Sequence, residues 1–397
     1  MSEPVIPITK PHLGAEEIQA VAEVIESGWL TQGPRVAEFE RAVAVYCGVK
    51  HAVACSSCTA ALHMALLAIG VGPGDEVIVP SLSFIATANA VVHAGARPVF
   101  AEIDPRTYDL DSDAAEAAIT PRTKAIMPVH QIGMPADLDR FHEIAARRGV
   151  QIIEDAACAI GSKYKGRPIG SHSEMVCFSF HPRKVICTGD GGMVATNDEA
   201  HAAKLRLLRQ HGMSVPDAAR HASKKLIIES YLCIGYNYRM TDLQAAVGIE
   251  QMKRLDAIVT GRRELAARYT AALADHPWLE PPFVPAYAEP NFQSYAVRLR
   301  DDAPLSRNEL LGELRARGIA AKPGIMTAHR EPAYREQCAG LRLPVTEKTS
   351  DRSFLLPLYP DLAMQQQDAI VAELHDAFAA RPARRRIAGL TRIPGTH

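Results

Sequence analysis

A lysine loop and a carboxylate-bearing strand contain the residue types in this sequence that could support chemistry. Residues 178–193 (FSFHPRKVICTGDGGM) start as an apolar strand, break at Pro182 and place Lys184 shortly before three closely spaced glycines. The amine of a lysine held in such a loop can form a Schiff base with an aldehyde. On this stretch alone, a solvated surface lysine is the more common case.

A second stretch supplies acidic groups at the end of a strand. Residues 149–158 (GVQIIEDAAC) read as a short buried strand that ends in Glu154 and Asp155. Open α/β sheets bind their ligands at this end of their strands. An acid there, Ser179 in a neighbouring strand and Lys184 are the parts needed to hold pyridoxal phosphate (PLP). In this interpretation Asp155 keeps the pyridine nitrogen protonated, so that the ring can act as an electron sink.

The chain resembles the DegT/DnrJ/EryC1/StrS family of sugar aminotransferases, which are PLP enzymes of fold type I. The matching motifs recur in family order from about residue 5 to about residue 375. Besides the lysine stretch, they are residues 28–34 (GWLTQGP), 56–62 (SSCTAAL), 72–80 (GPGDEVIVP), 154–157 (EDAA), 235–240 (GYNYRM) and 356–360 (LPLYP). Several motifs in one order are far more specific than any one of them.

A strand-to-helix junction at residues 56–59 is the predicted site for the cofactor phosphate. Backbone N–H groups and the helix dipole attract anions there, and the hydroxyls of Ser57 and Thr59 add donors. Helix capping by the same side chains is the alternative. The resemblance places the phosphate on Ser57, Cys58, Thr59 and Ser179, although the family usually has glycine at the position of Cys58.

The resemblance also implies roles for residues around the cofactor ring and the substrate. Phe84 matches the aromatic residue that stacks on the ring, and Cys158 stands where the family often has glutamine close to the ring. Asn237 matches the asparagine that reaches the cofactor of the other subunit, which implies a homodimer with shared active sites. The implied substrate contacts are Thr31, His181 and His329.

The order of predicted elements indicates an α/β fold with a mainly parallel central sheet covered by helices on both faces. Strands and helices alternate from residue 71 to residue 155, and a long helix follows from residue 257 to residue 274. We therefore predict a large PLP-binding domain over residues 1–255 and a smaller α+β domain over residues 256–380. Residues 381–397 are basic and read as a flexible tail.

Composition limits the possible partners and locations. The formal net charge is −1, which argues against nucleic acid as the main partner. No stretch approaches 18 uninterrupted apolar residues, and the N-terminus lacks a basic region followed by an apolar run. We therefore expect a cytoplasmic protein with no membrane partner.

The cysteines and histidines show no metal-site spacing. Cys55 and Cys58 form the only C-x-x-C pair among eight cysteines, whereas a zinc site of this kind needs a second pair. The 15 histidines include no H-E-x-x-H pattern. We predict reduced cysteines beside the phosphate turn, and no metal.

The resulting functional hypothesis is transfer of an amino group to a keto sugar. The resemblance implies an amino-acid donor, usually L-glutamate, and an acceptor that is most often a nucleotide-linked keto-deoxysugar. Lys184 would hold the cofactor and move the proton, with Asp155 as its acidic partner. A keto-cyclitol acceptor is the nearest alternative.

Three further alternatives change the reaction or remove it. PLP-dependent sugar dehydratases of this family have histidine where this chain has Lys184, and a non-catalytic regulatory protein would be expected to lack Lys184 or Asp155. A cysteine desulfurase would need a nucleophilic cysteine on a mobile loop, for which Cys338 is the only remote candidate. The residues present favour transamination.

Overall fold

The structure is a computed structural model and describes residues 6–215 and 227–379. The predicted basic tail therefore lies outside the described residues. The described helices are α1 Ala15–Ser27, α2 Pro34–Cys47, α3 Cys58–Ala68, α4 Ala86–His93, α5 Ser112–Ala117, α6 Leu138–Arg148, α7 Glu199–Leu208, α8 Asp242–Leu273, α9 Arg307–Ala316, α10 Pro344–Arg352 and α11 Met364–Ala379.

The described strands form three sheets. They are β1 His51–Cys55, β2 Glu76–Pro80, β3 Arg97–Ala101, β4 Thr123–Ile126, β5 Gln151–Asp155, β6 Lys163–Tyr164, β7 Arg167–Pro168, β8 Met175–Ser179, β9 Gly192–Thr196, β10 Leu279–Glu280, β11 Ala288–Glu289, β12 Tyr295–Leu299, β13 Lys322–Pro323 and β14 Ser353–Leu356.

The central sheet has seven strands in the order β1-β9-β8-β5-β4-β2-β3. β9 runs antiparallel to both of its neighbours, and the other strand pairs are parallel. Helices bury the two faces in separate apolar clusters, with α3 and α4 in one and α2 and α8 in the other. The predicted α/β class and mainly parallel sheet are confirmed.

The second large sheet has four antiparallel strands in the order β10-β12-β14-β13. Helices α9 and α11 and the last turns of α8 cover it, and their aliphatic and aromatic side chains form a core of their own. This arrangement matches the α+β character that we predict for the C-terminal part. A third, small sheet joins β6, β7 and β11.

The predicted division at residue 255 falls inside the longest helix. We predict a helix starting near Thr241 and a second over residues 257–274, but α8 runs without a break from Asp242 to Leu273. Its start is fixed by a capping box between Thr241 and Gln244. Its first half packs in the core under the central sheet and its second half in the C-terminal core. The helical spacing of apolar residues predicts both halves of α8, but no turn residue marks the point at which the helix passes from one core to the other.

Two elements that border the site are absent from the predictions. Helix α2 follows the Gly33-Pro34 turn, and β9 follows the glycines of the lysine loop. Strand β9 is buried throughout, so its short apolar run lacks the alternation that identifies a strand. No described helix is both long enough and apolar enough to cross a membrane.

Candidate active site

The lysine loop connects β8 to β9 and is closed at its base by backbone hydrogen bonds. The N–H of Phe180 donates to the carbonyl of Gly191 at 2.9 Å, and the N–H of Thr188 donates to the carbonyl of Phe180 at 2.9 Å. The N–H of Lys184 donates to the carbonyl of His181 at 2.8 Å, which makes a turn after Pro182. The loop is therefore fixed at both ends, and Lys184 projects from a short, defined turn.

The amine of Lys184 faces the sulfur of Cys158. Their Nζ and Sγ atoms are 3.1 Å apart. Burial acts to lower the pKa of Lys184, but the neighbouring sulfurs of Cys158 and Cys58 and the carboxylate of Asp155 outweigh it, and this pKa lies above its ordinary value. The structure thus brings the lysine loop and the end of β5 together, as the sequence predicts.

Asp155 is buried at the carboxyl end of β5 and is held by two hydrogen bonds. Thr87 Oγ1 donates to Asp155 Oδ2 at 2.7 Å, and the N–H of Ala157 donates to Oδ1 at 3.1 Å. Ser83 Oγ lies 2.7 Å from Thr87 Oγ1 and extends the chain of hydroxyls. Burial raises the pKa of Asp155 despite these hydrogen bonds.

Glu154, the neighbouring carboxylate, points to the other side of the strand. It forms a fully buried pair with His130, whose Nε2 lies 2.8 Å from Glu154 Oε2. The N–H of Ala136 donates to Nδ1 of this histidine, so its ring proton is on Nε2. Burial acts to raise the pKa of Glu154, but the hydrogen bond with His130 outweighs it and this pKa is lowered. Of the two predicted strand-end acids, only Asp155 is placed near Lys184.

The predicted phosphate turn lies beside the first residue of β9. Ser57 caps α3 by accepting a hydrogen bond from the N–H of Ala60 at 3.2 Å, and Cys58 and Thr59 are the first residues of the helix. A Cβ atom on Gly192 would lie 2.3 Å from the carbonyl oxygen of Ser57 and 2.7 Å from the nitrogen of Cys58. Only glycine permits this contact between the lysine loop and the helix N-terminus.

Residues 55 and 58 of the C-x-x-C pair direct their thiols to backbone carbonyls. Cys55 Sγ lies 3.3 Å from the carbonyl oxygen of Ser57, and Cys58 Sγ lies 3.8 Å from that of Cys177. Burial raises the pKa of Cys55 to about 12 and raises that of Cys58 as well. Both thiols are therefore poorly suited to redox chemistry or metal binding.

Three other predicted cofactor or substrate residues lie around the lysine loop. Ser179 is the last residue of β8, and its Oγ lies 3.5 Å from the backbone nitrogen of His181. Nδ1 of His181 accepts a hydrogen bond from the N–H of Arg183 at 3.1 Å. Phe84 precedes α4, and its side chain is 65% exposed although most of its neighbours are buried. An exposed aromatic ring here leaves a face free for a ligand.

The Thr31 loop contacts the start of α8, and the Asn237 segment contacts the phosphate turn. The carbonyl of Thr31 accepts a hydrogen bond from the N–H of Asp242 at 3.2 Å, and the Thr31 side chain is exposed. Asn237 is exposed as well, and the carbonyl of the next residue, Tyr238, accepts a hydrogen bond from the N–H of Ser56 at 2.8 Å. The Asn237 segment therefore packs on the phosphate turn of its own chain.

His329 is buried, and both of its ring nitrogens have partners. Nδ1 lies 2.5 Å from Ser81 Oγ, and Nε2 lies 3.4 Å from Glu347 Oε1. Burial lowers the pKa of this histidine. A substrate could contact the ring nitrogens only by displacing one of these partners, so the predicted substrate contact stays a prediction.

A loop before β12 forms hydrogen bonds with both the segment after β5 and the lysine loop. Asn291 Nδ2 donates to the carbonyls of Cys158 and Ile160, at 2.8 and 2.7 Å. Gln293 Nε2 donates to the carbonyl of Arg183 at 2.8 Å. The loop thus fixes the positions of the segments that contain Cys158 and Lys184.

A buried arginine of α8 holds this loop in turn. The guanidinium of Arg262 donates to the carbonyls of Phe292, Gln293 and Leu358. Burial lowers the pKa of Arg262 to about 10. Because its partners are carbonyls rather than carboxylates, its charge fixes the backbone without a counter-ion.

The sequence predictions miss Thr87, Asn291, Gln293 and Arg262. For Thr87 a signal exists, since a hydroxyl one helical turn after Phe84 would face the same side of the chain. The side chains of the other three donate hydrogen bonds to backbone carbonyls, most of them more than 70 positions away in the chain. No local pattern indicates such contacts.

Comparison with known proteins places nearly all of the described region in one family. A model of the DegT/DnrJ/EryC1/StrS aminotransferase family matches residues 11–375. DesV from S. venezuelae is 37% identical, with 95% of this chain and 99% of that chain covered and a TM-score of 0.86. PseC from Helicobacter pylori, an aminotransferase involved in the biosynthesis of pseudoaminic acid, is 29% identical, with 95% and 100% covered and a TM-score of 0.88. Spr1654 from Streptococcus pneumoniae, in its PLP form, is 28% identical, with 95% and 99% covered and a TM-score of 0.88.

The donor set of this chain fits PLP. PLP needs an amine, an acid and a site for its phosphate dianion. Lys184 and Asp155 supply the first two, and the capped start of α3, which approaches the backbone of Gly192, supplies N–H groups for the third. The exposed ring of Phe84 is available for the apolar faces of the pyridine.

Proposed function

This chain belongs to the DegT/DnrJ/EryC1/StrS aminotransferase family, and we propose that it transfers the amino group of L-glutamate to a nucleotide-linked keto sugar in amino-sugar biosynthesis. It is a PLP-dependent aminotransferase. The observation that supports the proposed assignment of roles most directly is the convergence of Lys184, Cys158 and Asp155 at the end of β5.

Bound PLP supplies an electron sink for the carbon from which a proton is removed. The residues of this chain hold and direct that chemistry. Lys184 is the one amine among these three converging residues, so we assign to it the attachment of the cofactor and the movement of the proton. Asp155 is the acid that would pair with the pyridine nitrogen, and Thr87 fixes the orientation of its carboxyl group.

The remaining cofactor residues would bind the cofactor and keep water away from it. Ser57, Cys58, Thr59 and the first N–H groups of α3 form the proposed phosphate site, which Ser179 completes from the end of β8. Phe84 would cover one side of the ring, and Cys158 contacts the amine of Lys184.

We assign a homodimer with shared sites as part of this function. The segment just before Asn237 exposes several large apolar side chains of the single chain, with Ile228 86% exposed and Ile234 89% exposed. A contiguous exposed apolar segment typically marks an interface between proteins. A second copy covering it would bring an exposed Asn237 to the partner's cofactor site.

Absorption spectroscopy tests the reaction. The purified protein with PLP should absorb in the visible range, and L-glutamate should convert this band to that of the pyridoxamine form. Lys184→Ala should lose the band, whereas Lys124→Ala, at an exposed position at the opposite end of the sheet, should keep it. A wild-type spectrum that L-glutamate leaves unchanged would contradict the proposed donor.

The acceptor is tested with protein that L-glutamate has already converted to the pyridoxamine form. Nucleotide-linked 3-keto and 4-keto sugars should restore the visible band, and keto-cyclitols should not. Restoration by a keto-cyclitol alone would replace the proposed acceptor with the alternative that the sequence leaves open.

A further inference from the structure

A small cavity beside the lysine loop is lined by two cations. Its volume is about 50 Å³, and its polar lining comes from Thr9, Arg183, Gln293, Ser294 and Lys322. The remaining lining side chains are aliphatic, and none is a carboxylate. The cavity has room for a few water molecules and hence for one group of the size of a phosphate.

The charges at this cavity have no partner in the described parts of the chain. The hydrogen bonds of Arg183 with described residues involve only its backbone, and neither Arg183 nor Lys322 lies within 4.0 Å of a described carboxylate. Burial lowers the pKa of Lys322, and the positive charge of Arg183 lowers it further. Two cations that repel each other across a cavity create a site that favours an oxyanion.

The polar lining suits phosphate oxygens. A guanidinium can bind two oxygens of one phosphate, and an ammonium adds a compact charge beside it. The hydroxyls of Thr9 and Ser294 supply neutral donors. The groups come from the N-terminal segment, the loop before β12, β13 and the exposed Arg183 of the lysine loop, so four parts of the chain converge on the cavity.

The position of the cavity connects it to the reaction. Arg183 is the residue before Lys184, so their Cα atoms are about 3.8 Å apart. Gln293, which lines the cavity, holds the backbone of Arg183 through a hydrogen bond of 2.8 Å. An anion bound here would therefore lie beside the segment that contains the reacting amine.

We propose that Arg183 and Lys322 form a subsite for one phosphate group of the nucleoside diphosphate of the acceptor sugar. This inference rests on the proposed function and extends it, because it names the two side chains that select an acceptor with a phosphate. A neutral keto-cyclitol would leave both cations unpaired.

Equilibrium binding to the holoenzyme tests the subsite without turnover. Isothermal titration calorimetry with UDP, dTDP, GDP and CDP, and with inorganic pyrophosphate, should detect binding of at least one nucleotide. Arg183→Gln and Lys322→Gln should each weaken that binding about 10-fold or more, which is about 1.4 kcal/mol, because each removes a charged hydrogen-bond donor. Lys124→Gln is the matched control and should bind as the wild type does. Arg183→Lys should restore part of the affinity.

Following the two half-reactions by absorption spectroscopy distinguishes failure of this inference from failure of the proposed function. The L-glutamate half-reaction should keep its rate in Arg183→Gln and Lys322→Gln, and the keto-sugar half-reaction should slow at low acceptor concentration. Equal nucleotide affinity in wild type and variants, no binding of any probe, or slowing of the L-glutamate half-reaction alone would each overturn the phosphate subsite. A wild type that binds a nucleotide but does not respond to L-glutamate would instead overturn the proposed donor.

Discussion

The Sγ atom of Cys158 lies 3.1 Å from the Nζ atom of Lys184. This contact joins the end of β5 to the lysine loop, and it places a sulfur where the family often has a glutamine amide. A sulfur that accepts a hydrogen bond favours the charged amine, as the raised pKa of Lys184 indicates. The contact therefore controls how readily the lysine becomes neutral.

Replacing Cys158 should change the pH dependence of cofactor attachment. Cys158→Ala removes a group that raises the pKa of Lys184, so the neutral amine should form at lower pH. The rate at which the apoenzyme gains visible absorbance with PLP should then rise at lower pH than in the wild type. Cys338→Ala, which removes a half-buried cysteine elsewhere, is the control. Identical pH profiles for wild type and Cys158→Ala would show that the sulfur has no influence on Lys184.

Thr87→Val should raise the pKa of Asp155. The hydrogen bond from Thr87 lowers the pKa of Asp155, so its loss should raise that pKa further and leave less carboxylate at a given pH. We expect kcat/KM near neutral pH to fall up to about 10-fold, with the acidic limb of the pH profile displaced to higher pH. Thr260→Val, on the exposed side of α8, should leave the profile unchanged. A uniform loss at all pH values would instead indicate a packing defect.

Gly192→Ala should separate the lysine loop from the phosphate turn. Its Cβ would lie 2.3 Å from the carbonyl oxygen of Ser57, and a backbone group cannot move aside as a flexible side chain can. We expect the free energy of unfolding to fall by about 1–3 kcal/mol and PLP to dissociate faster. Gly261→Ala is the matched control, because its Cβ meets nothing within 4 Å and helix propensity should stabilise it by about 1 kcal/mol. Urea unfolding of both variants makes the comparison, and a Gly192→Ala protein as stable as wild type would contradict the close approach.

Glu347 should make stability depend on pH in the acid range. Hydrogen bonds from the N–H of Leu343 and from Arg342 lower its pKa from 4.5 to about 2. Because the folded-state pKa is the lower one, the stabilisation is fully present above pH 4.5 and is lost as the pH falls toward 2. Glu347→Gln should lower the free energy of unfolding at pH 7, by less than the full pKa shift implies because solvent screens this partly exposed carboxylate.

The difference between Glu347→Gln and wild type should shrink as the pH falls below 4.5. Urea titrations at several pH values measure this difference. Glu336→Gln, at an exposed position nearby, should match the wild type throughout. A difference that does not depend on pH would mean that the carboxylate charge is not the stabilising element.

Ile234→Lys should separate the subunits. The side chain is 89% exposed in the single chain, and a charge buried at an apolar interface carries a large desolvation penalty. Size-exclusion chromatography with light scattering should show a dimer for the wild type and a shift toward monomer for the variant. Ile18→Lys, at an exposed site on α1, tests whether any added charge has the same effect. A wild type that is monomeric would remove the shared-site proposal.

Much of the chemistry is determined by local sequence. The apolar strand before Asp155, the turn at Pro182 before Lys184 and the hydroxyls at the start of α3 are short-range patterns. They predict a strand-end acid, a loop amine and an anion site, because strand, turn and helix preferences depend on neighbouring residues. The mainly parallel sheet then follows from the alternation of strands and helices, and the structure confirms it.

The tertiary structure decides which groups meet. The sequence assigns the role at the cofactor to Asp155, and the structure places that residue beside Lys184, because the alternation of the strand directs Glu154 to the buried ring of His130 instead. The contacts of Asn291 with Cys158, and of Lys322 with the cavity beside Arg183, join residues more than 130 positions apart. Such pairings depend on how the two cores pack together, and no local pattern specifies the distance between residues on different elements.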